Sequence, residues 1–241
     1  MSATTAAASR PAPRLLDLIE RAGNGLPHPV TLFVLLAGLV LLASAVVARL
    51  GLSVVHPRDG SLVTAVNLLD RAGVQRIVFA TSNHAVGFYP REQKIDHRVV
   101  PRPDSRYGVS KAFGEALASL YSDKHGIGVL CTRIGNFGEK PIDKRRLSIW
   151  ISPRDYTQLV RIGLEHPDIR YEIVYGVSDN RRSWYDNSNA ARLGYRPQDD
   201  SEPYAEAVLA AEAGQAADPI AEHYQGGTFC AAEYTAGTRR E

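Results

Sequence analysis

The sequence has little that would tie it to a charged polymer, a metal ion or an oxidising compartment. Its 28 Lys and Arg stand against 26 Asp and Glu, a net charge of +2, and so even a balance creates no field that gathers nucleic acid. No nucleic-acid partner is expected. Cysteine is scarce: Cys131 and Cys230 are the only two, and they show no CxxC spacing, which argues against a disulfide framework or a zinc site and fits a reducing compartment. The seven histidines also lack metal-ligand spacing. His84 and His97 are too far apart to share a helical turn and no HExxH occurs, so no metal is expected. A glycine-rich phosphate turn is missing too. Gly23-Asn24-Gly25 has no third glycine at the required distance and runs into Pro27, the pattern of a helix stop.

What is present reads as two kinds of sequence joined near residue 60. Residues 1–14, rich in Ala, Ser, Thr and Pro, predict a disordered tail. Over residues 15–60 an amphipathic helix is expected first, with Leu15, Leu18, Ile19 and Ala22 on one face and Gly23 ending it. Val30 to Ala48 then runs without a charge. As a helix it would be about 28 Å long, close to the thickness of a bilayer's hydrocarbon, so a single membrane span over residues 30–52 is expected. Two alternatives stay open: a signal peptide cleaved after Ala43-Ser44-Ala45, and a buried helix, although buried runs are usually shorter. Arg10, Arg14 and Arg21 favour a cytoplasmic N-terminus, an orientation that Arg49 and Arg58 weaken.

From Leu62 onward strand and helix patterns alternate. Gln75–Thr81, Ile127–Ile134 and Tyr171–Val177 are short β-branched runs that predict parallel strands. Tyr107–Lys124 has helical periodicity, and Ser152-Pro153-Arg154-Asp155 opens another helix with a capping pattern and proline in the first turn. Strands alternating with helices predict an α/β fold with a doubly wound parallel sheet. No internal repeat is visible.

The segment Tyr107-Gly108-Val109-Ser110-Lys111 carries the chemistry. Positions i and i+4 share a helix face, so the lysine ammonium can sit beside the phenol and favour its ionised form. A tyrosine so activated can take a proton from a substrate hydroxyl while hydride leaves the same carbon for a nicotinamide. The spacing alone is common and also describes a helix with a surface lysine. Its context is more specific: a predicted strand ends at Ala80-Thr81-Ser82-Asn83-His84, and a serine at a strand's C-terminal end points into the ligand crevice of such sheets.

Phe79-Ala-Thr-Ser-Asn-His84, Gly87-Phe-Tyr-Pro90 and Arg102-Pro-Asp-Ser-Arg-Tyr-Gly-Val-Ser-Lys-Ala-Phe-Gly-Glu115 together resemble the active-site region of the uronate dehydrogenases. These belong to the extended short-chain dehydrogenase/reductases, the NAD-dependent epimerase/dehydratase family. The resemblance continues through Arg133-Ile-Gly135, Leu147-Ser148, Trp150, Val174-Tyr-Gly176, Trp184, Asp186-Asn-Ser188 and Leu193-Gly-Tyr-Arg-Pro197, and spans about residues 62–234. It implies a Rossmann-like sheet over residues 61–241, with NAD as cofactor and a hexuronic acid oxidised to an aldarolactone. It also implies Ser82, Tyr107 and Lys111 as catalytic residues, with Tyr107, Lys111 and Ile134 beside the cofactor. Asn83, His84, Asn136 and Arg145 are implied as substrate contacts, Arg145 taking the carboxylate; at Asn136 some family members carry serine. Because the glycine-rich turn and the acidic residue that holds the adenosine ribose are not found, an incomplete sheet lacking its N-terminal strands, a weak grip on NAD and impaired activity are expected.

Glu20-Arg-Ala-Gly-Asn24, Leu26-Pro-His-Pro-Val-Thr-Leu-Phe33 and Ser53-Val-Val-His-Pro57 resemble the start of an AbgT-type p-aminobenzoyl-glutamate transporter. This second resemblance, over about residues 15–57, implies a membrane partner through one helix. It leaves a non-catalytic, membrane-anchored chimera as the other expectation.

Overall fold

The computed structural model describes residues 29–55, 60, 62–68 and 74–236. The expected tail and the amphipathic helix around Leu15–Ala22 lie outside them. The chain divides into two compact units, Met1–Gly73 and Val74–Glu241.

In the first unit the uncharged run forms helix α1, Pro29–Arg49. Strands β1 (Ser53–Val55) and β2 (Leu62–Thr64) follow as an antiparallel pair in the register Ser53 to Thr64. Ser44 Oγ donates to the Leu41 carbonyl and accepts from the Leu68 amide, which ties the helix to the segment after β2. Leu35, Leu36, Leu39, Leu42 and Val46 of α1 are exposed, as are Val54 and Leu62 in the strands. The expectation of a membrane span finds no support here: among the described residues no helix is long and apolar enough to cross a membrane. Helix formation needs only local backbone bonds, whereas crossing needs about 20 consecutive apolar residues.

The second unit is built on a parallel sheet of β3 (Arg76–Ser82), β4 (Gly128–Ile134) and β7 (Tyr171–Gly176), in the order β3-β4-β7. All three strands fall where the β-branched runs predict them. Helices α2 (Arg106–His125) and α4 (Pro153–Glu165) cover its two faces. Strand alternation shows this directly. A Cβ on Gly114 of α2 would meet Phe79, whereas one on Gly163 of α4 would meet Val78 and Leu130, and neighbouring residues of a strand point to opposite faces. Glycine at each contact lets helix and sheet approach closely.

Local signals set the ends of both helices. Ser105 caps α2 by accepting from the Gly108 amide, and Gly126 closes it at φ +70°, a left-handed conformation that only glycine adopts without strain. Ser152 caps α4 by accepting from the Asp155 amide, with Pro153 in the first turn. On the α4 face, Leu130, Ile151, Leu159, Ile169, Val174 and Leu193 form one buried cluster. Beyond β4 lie the short parallel pair β5 (Asn136–Phe137) and β6 (Trp150–Ile151), with α3 (Arg146–Ile149) between them. Helices α5 (Ser188–Arg192), α6 (Ala205–Glu212), α7 (Pro219–His223) and α8 (Thr228–Ala231) complete the unit.

Candidate active site

The C-terminal end of β3 and the first turns of α2 meet to form a cleft of about 390 Å³, lined by Ser82, His84, Tyr107, Lys111, Ile134 and Phe229 among others. Ser82 is the last residue of β3 and caps the 3-10 turn Asn83–Val86, accepting from the His84 amide at 3.2 Å. That turn abuts the start of α2. A Cβ on Gly108 would lie 2.2 Å from the His84 carbonyl oxygen, so only glycine lets the helix start close enough to bring Tyr107 beside Ser82.

Tyr107 and Lys111 share the cleft face of α2, with Lys111 Nζ 5.4 Å from the centre of the tyrosine ring. Lys111 Nζ also donates to the Ala80 carbonyl at 2.9 Å. Tyr107 is 47% exposed, so its phenol is open to a ligand. A buried network behind the cleft holds the helix against the sheet. Arg133 of β4 donates twice to Glu115 of α2, at 3.0 and 2.8 Å, and Thr81 of β3 donates to the same carboxylate at 2.9 Å. Burial opposes the charge on Arg133, but hydrogen bonding and attraction from Glu115 win and raise its pKa.

His84 occupies one wall. Its Nδ1 lies 2.6 Å from Asp104 Oδ2, its ring lies tilted against Phe229 with centroids 4.1 Å apart, and it meets the Tyr107 ring edge-on at 5.8 Å. Phe229 and Asp104 were not anticipated from the sequence. Phe229 comes from α8, far along the chain, and no periodicity links it to the Tyr107 helix. Asp104 stands within the family-like stretch, but nothing in the spacing pairs it with His84.

The remaining candidate residues are arranged less simply. Asn83 is completely buried beside the cleft, accepting from Ser82 Oγ at 3.4 Å and lying against the Tyr185 hydroxyl. Arg145 lies just before α3 and donates from Nε to the Gln225 carbonyl at 2.8 Å, while its buried Nη2 is unpartnered. Burial lowers the pKa of Arg145. Burial pushes the pKa of the Tyr185 hydroxyl up to about 12, against the pull of the Arg145 charge and of a hydrogen bond from Asn83. Asn136 sits in β5, half-buried and paired with Trp150. Asn83, Asn136 and Arg145 are not among the residues that line the cleft. Among the described residues no group of His, Cys, Asp and Glu could hold a metal ion.

The sequence model of the NAD dependent epimerase/dehydratase family matches residues 60–196, and that of the AbgT putative transporter family matches residues 14–92. The chain is 48% identical to the uronate dehydrogenase of Pseudomonas putida over 160 residues, 66% of this chain and 59% of that protein. A crystal structure of a mutant uronate dehydrogenase from Agrobacterium tumefaciens complexed with NAD is similar at 39% identity and a TM-score of 0.62, covering 67% of this chain and 61% of that one. At the N-terminal side, the chain is 31% identical over 90 residues to the p-aminobenzoyl-glutamate transport protein of Escherichia coli, 37% of this chain and 18% of the transporter. The chain thus spans about three fifths of the length of the first of these relatives.

Proposed function

Because the chain belongs to the NAD dependent epimerase/dehydratase family, we propose that its second unit carries the active site of an NAD-dependent oxidoreductase of the uronate dehydrogenase type. The reaction converts a hexuronic acid to an aldarolactone. The observation that carries this reading is the meeting of Ser82, Tyr107 and Lys111 around one open cleft.

In this reading Ser82 hydrogen-bonds the anomeric hydroxyl of the sugar acid and holds it toward Tyr107. The Tyr107 oxygen takes the hydroxyl proton as the carbon–hydrogen bond of the same carbon breaks, leaving the lactone carbonyl. NAD, when bound, would supply the acceptor for the hydride released from that carbon. Lys111 sets a positive charge near the tyrosine ring and offsets negative charge on the phenol oxygen before the proton arrives. The residues beside the cleft fit the nicotinamide end of the cofactor: Tyr107 and Lys111 offer polar groups to its ribose, and Ile134 an apolar wall. For the pyrophosphate, these 241 residues offer no glycine-rich turn, so alone they grip NAD weakly and turn over slowly.

The unpartnered donor of Arg145 favours a sugar acid over a neutral sugar. Arg145 Nη2 is buried without an acceptor, a state that costs free energy until an acceptor arrives. A carboxylate supplies two acceptor oxygens and suits the guanidinium fork; Asn136 is a further substrate contact in this reading. The test is NADH formation by the purified chain with galacturonate or glucuronate, against galactose or glucose. Turnover is expected with the acids only, and equal turnover of acid and neutral sugar would remove the assignment.

A second reading is favoured by the transporter-family match over residues 14–92: a non-catalytic, membrane-anchored chimera whose membrane contact lies in the transporter-like segment. It predicts that the chain expressed in bacteria stays in the membrane pellet after alkaline carbonate washing. The protein would then make no NADH at any NAD concentration.

A further inference from the structure

We propose that Asp104 is a positioning residue that holds the His84 imidazole in its Nδ1–H tautomer, leaving Nε2 as an open hydrogen-bond acceptor for a hydroxyl of the ligand in the cleft. The proposal rests on the sugar-acid reading above for the identity of that ligand, but not for the state of the ring.

The hydrogen-bond inventory leads to this tautomer. An ionised carboxylate can only accept, and Asp104 Oδ2 lies 2.6 Å from His84 Nδ1, so the proton between them belongs to the ring. Asp104 Oδ1 is already taken, accepting from Ser105 Oγ at 2.8 Å. With Nδ1 protonated, the neutral ring has its lone pair at Nε2. No protein partner is found for Nε2 among the described residues, although His84 lines the cleft with Ser82, Tyr107 and Lys111. An imidazole left to itself in water prefers the opposite tautomer, so the carboxylate has to select this one.

The surroundings hold Asp104 in place for that task. Its side chain is fully buried between two glycines distant in sequence: a Cβ on Gly87 would lie 1.9 Å from Oδ2, and one on Gly226 would lie 2.2 Å from the same oxygen. Neither position admits a side chain without displacing the carboxylate. The two glycine segments are joined to each other, the Gly226 amide donating to the Gly87 carbonyl at 2.8 Å and the Cys230 thiol donating to it at 3.4 Å. Phe229, three residues beyond Gly226, lies against the imidazole at an interplanar angle of 35°. The ring is therefore fixed at Nδ1 by Asp104 and on one face by Phe229, with Tyr107 at its edge. The consequence for recognition is a polarity choice, since Nε2 welcomes a hydroxyl that donates and repels a carbonyl or carboxylate oxygen at the same spot.

The test is a long-range proton–nitrogen correlation spectrum of the full chain labelled with nitrogen-15 in histidine, recorded near pH 8, above the ordinary imidazole range. The His84 signals are identified by their loss in His84→Gln. The expected result is a protonated Nδ1 and a bare Nε2, with Asp104→Asn transferring the proton largely to Nε2. Should Asp104→Asn fail to fold, Gly226→Ala displaces the carboxylate by another route and is expected to weaken the same preference. A wild-type ring protonated at Nε2, or at both nitrogens, overturns the proposal, as does a tautomer that neither variant alters. Adding galacturonate separates the two levels of inference. A shift confined to Nε2 supports both, whereas an Nδ1–H ring indifferent to the sugar acid retains the role of Asp104 and removes hexuronate as the ligand.

Discussion

At the scale of single residues, the site depends on charges and polar groups that are buried with their partners. The Glu115–Arg133 pair is the clearest case, with side chains 4% and 1% exposed. Breaking such a pair leaves an uncompensated buried charge and costs about 3–5 kcal/mol. Glu115→Ala is therefore expected to lower the unfolding free energy by about that amount, measured by urea denaturation. Replacing both partners with apolar residues of similar volume should recover much of the loss, because no lone charge then remains in the interior. A Glu115→Ala protein as stable as wild type would mean that the network does not hold α2 to the sheet.

At the scale of elements, the two short approaches that make the cleft are the strand end at Ser82 and the helix start at Tyr107. Gly108 sets the distance between them. Gly108→Ala would place its methyl group 2.2 Å from the His84 carbonyl, and overpacking of this kind costs about 1–3 kcal/mol. The helix is expected to move away from the turn, so NADH formation should fall more than stability does. A variant that loses stability but keeps full turnover would show that the approach serves packing alone.

The elements themselves were largely legible in the sequence. Gln75–Thr81, Ile127–Ile134 and Tyr171–Val177 differ by a residue at an end or two from the strands Arg76–Ser82, Gly128–Ile134 and Tyr171–Gly176, because β-branched runs bounded by turns carry a local signal. The helix expected over Tyr107–Lys124 forms over Arg106–His125, its ends set by Ser105 and Gly126. What could not be read was contact at long range. The packing of Phe229 on His84 and the cradle around Asp104 join segments more than 100 residues apart in sequence, which neither periodicity nor spacing encodes. For the uncharged run the sequence pointed correctly to a helix, Pro29–Arg49. Its environment is a separate matter, because low charge favours a lipid surrounding and a protein surrounding alike.

At the scale of the whole molecule, the two family models that match the chain overlap between residues 60 and 92. The boundary of the compact units, after Gly73, falls inside that overlap. In the second unit Ser82, Tyr107 and Lys111 meet at the C-terminal end of β3, and among the described residues β3 has a single strand neighbour, β4. In the proposed reading, proton transfer at Tyr107 is separable from the hold on the cofactor.

That separation is open to one direct measurement: the rate of NADH formation from galacturonate at saturating NAD, for wild type and Tyr107→Phe side by side. The account predicts slow but measurable turnover in the wild type and a loss of about 10²–10⁴-fold on removing the phenolic oxygen. Equal rates in the two proteins, or no turnover by wild type however much NAD is supplied, would contradict it.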